Sequence, residues 1–140
     1  ADSVVVVPVT GDGRIVMVEQ FRHGVRELVL EFPAGTLEAG EDEVTAGLRE
    51  LREETGYGAT GAEVVGRFNT DPALQNNVVT VVFARGCDCE GDKDEDQSED
   101  VGVRLLEAQE IDALIDAGTL RSAPALAAWT LYRCRADGRA

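Results

Sequence analysis

The sequence has no long apolar run. None of its hydrophobic stretches approaches the roughly 20 residues that a membrane-spanning helix requires. It also shows no signal-peptide pattern, in which a basic start is followed by a short apolar core. We therefore expect a cytoplasmic protein with no membrane partner.

Basic residues are scarce in the chain. Its 140 residues include 13 Lys and Arg against 27 Asp and Glu, which gives a net charge of −14 at pH 7. A chain this acidic would be repelled by a nucleic-acid backbone, so we expect no nucleic-acid partner. A small phosphate substrate is still compatible with the charge, because metal ions and a few arginines can supply positive charge locally.

Cysteine and histidine are also rare. The cysteines are Cys87, Cys89 and Cys134, and His23 is the only histidine. Cys87 and Cys89 could form half of a metal site, but no second pair of Cys or His residues accompanies them. This pattern favours free thiols in a reducing cytosol over a zinc site or a disulfide.

What the sequence does have is a series of valine-rich stretches separated by turns. Its length and its 44% hydrophobic residues predict a single domain over residues 1–140 with a sizeable core. Residues 21–24 are predicted as a loop and residues 33–35 as a bend. The predicted strands are residues 3–9, 14–20, 27–32, 59–67, 78–84 and 101–106, and the first two form a hairpin. Later helices are predicted over 110–117 and 123–134, and this order favours an α/β layered domain over a bundle.

Residues 90–100 form a dense acidic segment without an apolar side chain, so we expect the segment to be exposed. Asp92, Asp94 and Asp96 alternate as in a calcium-binding loop. However, Gln97 stands where that loop needs glycine, and Val103 stands where it needs glutamate. The pattern therefore does not fit an EF-hand.

The stretch from Gly35 to Tyr57 organises the rest of the chain. Its second half has the periodicity of a helix, and Gly56 supplies a stop signal. One stripe of this helix carries the residues Val44, Leu48, Leu51 and Thr55.

The same helix carries three glutamates on a different side. Glu50, Glu53 and Glu54 share an arc of about 100°. Three like charges this close repel each other, so a fold tolerates them mainly when cations lie among them. Carboxylate oxygens are hard ligands that suit Mg²⁺ or Mn²⁺.

The spacing of this stretch also carries a family resemblance. Its fixed positions are Gly35, Glu41, Arg49-Glu50-Leu51, Glu53-Glu54 and Gly56-Tyr57. This pattern resembles the complete Nudix box. The resemblance implies the family's α/β/α sandwich with a mixed sheet, and a hydrolase that uses Mg²⁺ or Mn²⁺.

The flanking residues narrow the resemblance. Residues 19–22 and 31–35 are similar to the run before the box in ADP-ribose and nucleotide-sugar pyrophosphatases. This similarity implies cleavage of ADP-ribose or an ADP-sugar into AMP and a sugar phosphate, in a subgroup whose members often form a homodimer. Two alternatives stay open: another nucleotide substrate, such as a GDP-sugar, a dinucleoside polyphosphate or a damaged triphosphate, and a non-catalytic module that senses a nucleotide.

The resemblance assigns metal-binding roles residue by residue. It implies that Glu50 and Glu54 bind the divalent ions and that the Ala34 carbonyl completes one site. Glu53 would bind a metal or position the attacking water. Arg49 would pair with Glu41 or Glu53 and maintain the shape of the box, of which Glu41 and Gly56 are structural members.

The resemblance also suggests substrate contacts and a base. Arg22 would hold a phosphate with two hydrogen bonds, and Gly35 would also contact the substrate. Phe21 would stack on a base or belong to the core, and Glu31 would contact the ribose or an amino group or simply lie on an exposed face. Glu99, just before the strand at 101–106, is the candidate general base; the alternative is one more charge in the acidic segment.

Overall fold

The computed structural model describes residues 2–91 and 101–136. Eight strands and three helices lie in these ranges. The strands are β1 (Ser3–Thr10), β2 (Ile15–Arg22), β3 (Glu27–Glu31), β4 (Ala34–Thr36), β5 (Tyr57–Gly58), β6 (Gly61–Phe68), β7 (Val79–Cys89) and β8 (Val101–Leu106). The helices are α1 (Glu43–Thr55), α2 (Ala108–Asp116) and α3 (Ala123–Ala136).

The sheet is mixed. β1 and β7 run parallel in the centre, and every other pairing is antiparallel. β4 extends the sheet on β1, β6 extends it on β7, and β2 carries both β3 and β8. The predicted β1–β2 hairpin is present, although its two strands pair only at Val9 and Ile15 before they diverge.

Alternation along β1 separates two packed layers. Val4 and Val6 pack with residues of α1, whereas Val5 and Val7 belong to the larger core that α2 and α3 cover. This is the period-2 pattern expected of a strand that is buried on both faces. The result is the α/β/α sandwich that the resemblance implied.

Several element boundaries differ from the sequence predictions. Phe21 and Arg22 were predicted in a loop, but they extend β2 because Leu28 and Glu27 of β3 pair with them. The predicted bend at 33–35 contains the start of β4, which pairs with β1. β7 continues beyond the predicted end at residue 84 because β1 and β5 supply partners as far as Cys89.

Two further observations bear on the predictions. The acidic segment lies almost entirely outside the described residues, since 92–100 are not among them. None of the helices within the described ranges is long and apolar enough to cross a membrane.

Candidate active site

Helix α1 presents its glutamates to the body of the protein. Asp42 caps its N-terminus by accepting the Thr45 backbone N–H at 3.1 Å, and Gly56 ends it with a φ of 80°, as predicted for a helix stop. Glu50 and Glu54, one turn apart, are each only 7% exposed. Burying two carboxylates side by side is costly unless something compensates their charge.

The short strand β4 lies against these two carboxylates. The Ala34 backbone N–H donates to Glu54 Oε2 at 3.4 Å. A Cβ built on Gly35 would lie 2.0 Å from Glu50 Oε1, so no side chain fits there while Glu50 keeps its position. The structure therefore brings Ala34, Gly35, Glu50 and Glu54 together.

Arg49 binds several box carboxylates at once. Its guanidinium donates to Glu41 at 2.8 and 2.9 Å, to Glu50 at 2.9 Å and to Glu53 at 3.4 Å. It was predicted to pair with Glu41 or Glu53, and it pairs with both. Because Arg49 donates to it, the pKa of Glu41 falls to about 2, and the surrounding carboxylates in turn raise the pKa of Arg49.

Arg22 is the basic residue that acts on Glu54, but its guanidinium donates to Glu31 instead. Burial raises the pKa of Glu54 to about 8, and the nearby charge of Glu50 adds to this, while the Ala34 N–H and Arg22 oppose it only in part. Burial also raises the pKa of Glu50, against the effect of Arg49. The pair therefore needs additional positive charge to stay ionised near neutral pH.

This donor set fits a hard divalent cation. The carboxylate oxygens of Glu50 and Glu54 lie against the backbone of Ala34 and Gly35. Within residues 2–91 and 101–136, no three His, Cys, Asp or Glu side chains are already arranged as a metal site. Mg²⁺ does not require such a cluster, because it usually takes one or two carboxylates and completes its shell with water and substrate phosphate.

Arg22 and Glu31 form a second polar pair next to Glu54. Arg22 Nε donates to the two Glu31 oxygens at 3.2 and 3.1 Å, and its Nη2 donates to Oε1 at 2.6 Å. Gln20 donates to the same carboxylate at 3.0 Å. Arg22 remains 51% exposed, so its guanidinium is oriented by Glu31 and still accessible to a phosphate.

Phe21 lies apart from this pair. Neighbouring residues of a strand point to opposite faces, so Phe21 and Arg22 face opposite sides of β2. The Phe21 ring is 44% exposed and makes an edge-on contact with His23 at 5.1 Å. It therefore does not belong to the core. Glu99, the candidate base, lies outside the described residues.

Sequence reasoning missed one wall of the site. Thr119, Arg121 and Ser122, in the segment between α2 and α3, face the β2–β3 hairpin across a cleft. Nothing in the local pattern marks them, because only the packing of the C-terminal helices brings them close to Arg22. A basic residue between two predicted helices was the only signal available.

Comparison with known proteins gives three findings. Residues 1–129 match the family model described as NUDIX domain. Over 112 residues the chain is 39% identical to a protein of Bacillus subtilis (strain 168) named ADP-ribose pyrophosphatase, in an alignment that covers 80% of this chain and 60% of that protein. Over 90 residues it is 44% identical to a protein of Mus musculus named ADP-sugar pyrophosphatase, covering 59% of this chain and 41% of that protein.

The chain thus spans about two fifths to three fifths of the length of these two relatives. Among solved structures, one titled as the crystal structure of an ADP compounds hydrolase superposes with a TM-score of 0.85. That likeness covers 99% of this chain and 75% of the other, at 23% identity. At this identity the likeness shows the fold alone.

Proposed function

Because this chain belongs to the NUDIX domain family, as its sequence predicted, we propose that it hydrolyses the pyrophosphate bond of a nucleoside diphosphate linked to another moiety. The leading substrate is ADP-ribose or an ADP-sugar, and the products are AMP and a sugar phosphate. The names of two relatives, ADP-ribose pyrophosphatase and ADP-sugar pyrophosphatase, support this substrate class.

The observation that carries the proposal is the buried pair Glu50 and Glu54 against Ala34 and Gly35. Mg²⁺ or Mn²⁺ would be held there by Glu50 and Glu54, with Glu53 and the Ala34 carbonyl as further ligands. When bound, such a cation neutralises phosphoryl oxygens and lowers the pKa of water. Buried carboxylates ordinarily pair with a cation or bind a metal, and Arg49 pairs with Glu50 but not with Glu54.

The residues of the chain then have distinct roles in the reaction. Arg22 holds a phosphate oxygen while Glu31 orients its guanidinium. Glu53, which accepts a hydrogen bond from Arg49, positions a water and takes its proton. The water oxygen bonds to phosphorus as the bridging P–O bond breaks, and the departing phosphate keeps the electron pair.

The remaining sequence predictions stay proposals. They are a single domain over residues 1–140, a cytoplasmic location, a homodimer, and the absence of membrane and nucleic-acid partners. The role of Glu99 as general base likewise stays a proposal.

A substrate panel tests the proposed function. ADP-ribose, ADP-glucose, GDP-mannose and a dinucleoside polyphosphate would be incubated with the protein and Mg²⁺, and the released nucleotides separated by chromatography. We expect AMP from ADP-ribose or ADP-glucose, and no product with excess chelator. Binding of nucleotides without hydrolysis of any of them would favour the sensing module instead.

A further inference from the structure

A cleft of about 480 Å³ includes Arg22 and Glu31 in its lining. One wall is the β2–β3 hairpin, with Val25, Leu28 and Leu30, and the other is the segment between α2 and α3, with Thr119, Arg121 and Ser122. This volume lies within the usual range for pockets that bind small molecules. The cleft can therefore hold a large part of a nucleotide.

The cleft leads directly to the proposed reaction centre. A smaller cavity of about 110 Å³ shares Arg22, Glu31 and Ser122 with it and extends to Ala34. Ala34 in turn contacts Glu54 through its backbone N–H. A ligand with its pyrophosphate at Ala34 and Arg22 would thus extend one of its two ends into the cleft.

The hairpin wall is apolar and exposed to water. Leu28 is 62% exposed and Val25 is 58% exposed, and both line the cleft. Covering such surface with a flat, weakly polar ring removes it from water, whereas the hydroxyl groups of a sugar gain nothing from it. This wall therefore favours a nucleobase over a sugar.

The opposite wall carries Arg121, which forms an ion pair with the hairpin. Arg121 donates to Glu27 Oε1 at 2.9 Å across the mouth of the cleft, and guanidinium planes stack well on bases. The segment is fixed by Leu120, which is 3% exposed and whose N–H bonds the Leu114 carbonyl at 3.0 Å. Leu120 thus anchors the backbone beside Arg121, and the Arg121 side chain is 66% exposed and accessible to a ligand.

Charge at the cleft is balanced, in contrast to the rest of the chain. Two arginines, Arg22 and Arg121, face two glutamates, Glu27 and Glu31, in a protein of net charge −14. A phosphate-bearing ligand meets less repulsion here than on most of the surface.

We propose that this cleft binds the nucleobase of the substrate, with Leu28 in contact with one side of the base and Arg121 with the other. The inference rests on the proposed function, since it places the AMP half of the substrate in the cleft and leaves the sugar phosphate half outside it. The sugar phosphate then extends from the pyrophosphate in the other direction.

AMP and ribose 5-phosphate test this assignment, because both carry a phosphate on a ribose but only AMP carries a base. Isotope-labelled protein in chelator would be titrated with AMP and, separately, with ribose 5-phosphate, and followed by NMR. We expect AMP to shift the Val25 and Leu28 methyl signals and the Arg121 amide signal, with ribose 5-phosphate leaving them in place. Equal shifts from both ligands, or AMP shifts confined to other parts of the protein, would overturn the inference.

Variants supply a second readout with matched controls. Leu28→Asp and Arg121→Ala should each weaken AMP binding at least about tenfold, the range expected for loss of one stacking partner. Leu74→Asp changes an 81% exposed leucine away from the cleft, and Arg135→Ala breaks a comparable surface pair with Glu63. These two controls should bind AMP like the wild type.

Hydrolysis assays separate this inference from the proposed function. With ADP-ribose, the two cleft variants should raise KM at least about tenfold and change kcat little, because the base contact is the same in ground state and transition state. Normal KM values in both variants of an active enzyme would refute the cleft assignment alone. AMP binding in the cleft of a protein that hydrolyses no nucleotide would refute the proposed function and support the cleft.

Discussion

Glu53 is the residue whose replacement best separates chemistry from binding. It is a third exposed and accepts from Arg49 at 3.4 Å, so it lies at the accessible side of the acidic site. Glu53→Gln keeps its shape but cannot take a proton. We expect kcat on the best substrate to fall by about 10²–10⁴, as for loss of a general base, with KM nearly unchanged.

The matched control is Glu63→Gln, which removes a surface glutamate paired with Arg135. Its kcat should equal that of the wild type. If Glu53→Gln also turns over at the wild-type rate, the role assigned to Glu53 is wrong.

Gly35 tests whether the position of the Glu50 carboxylate matters. In Gly35→Ala the new methyl group would displace Glu50 Oε1, which lies 2.0 Å from the Cβ position. The carboxylate is the flexible end of its side chain, so the fold should survive while the site is distorted. Misplacing a reacting group by about 1 Å costs on the order of 10²-fold in rate, and we expect a loss of this size in kcat/KM.

Gly11→Ala is the control for this substitution, since a Cβ at Gly11 meets nothing within 4 Å. Thermal melts should show similar Tm values for the two variants, and activity should be lost only in Gly35→Ala. Full activity of Gly35→Ala would mean that the close approach of Gly35 to Glu50 has no catalytic importance.

At the scale of elements, helix α1 buries a carboxylate that should make the stability of the protein depend on pH. The pKa of Glu54 is about 8 in the folded protein without metal, against an ordinary value of about 4.3 in an unfolded chain. Between these values the folded state binds more protons than the unfolded state, so the free energy of unfolding decreases as pH rises.

We therefore expect the Tm measured in chelator to fall as the pH is raised from about 5 to about 8.5. In Glu54→Gln the same rise in pH should lower the Tm less, because the buried carboxylate is gone. Parallel curves for the two proteins would show that Glu54 is not the destabilising group.

The elements with strong local patterns were predictable from the sequence. The valine-rich strands, the β1–β2 hairpin and α1 with its stop at Gly56 follow from periodicity and turn chemistry. β4, β5 and the second half of β7 were not, because their residues become strands only through pairing with distant partners, such as Cys89 with Tyr57.

The candidate site shows the same division between local and distant information. Spacing along one helix was enough to predict that Arg49, Glu50, Glu53 and Glu54 lie close together. The approach of Gly35 to Glu50 depends instead on how β4 pairs with β1, and the bond from Arg22 to Glu31 depends on the β2–β3 register. Arg121 reaches the cleft only through the packing of α2 and α3, which no local pattern encodes.

At the scale of the whole molecule, a protein with a high negative charge is proposed to bind a phosphate substrate. The acidic chain of net charge −14 can bind such a substrate only where cations offset the charge. In the proposed function Arg22 and Arg121 would supply part of this offset, and the metal at Glu50 and Glu54 would supply the rest. The proposed hydrolysis therefore requires a divalent cation above all.

The most direct test is the rate of AMP release from ADP-ribose at increasing Mg²⁺ concentration, for the wild type and for Glu50→Gln/Glu54→Gln. We predict no turnover of the wild type in chelator, and a rise that saturates at a Mg²⁺ concentration on the order of 1 mM, as expected for a weakly held hard cation. The double variant should stay at least about 10²-fold slower at every concentration. Full wild-type turnover in chelator, or equal rates in the two proteins, would contradict the account.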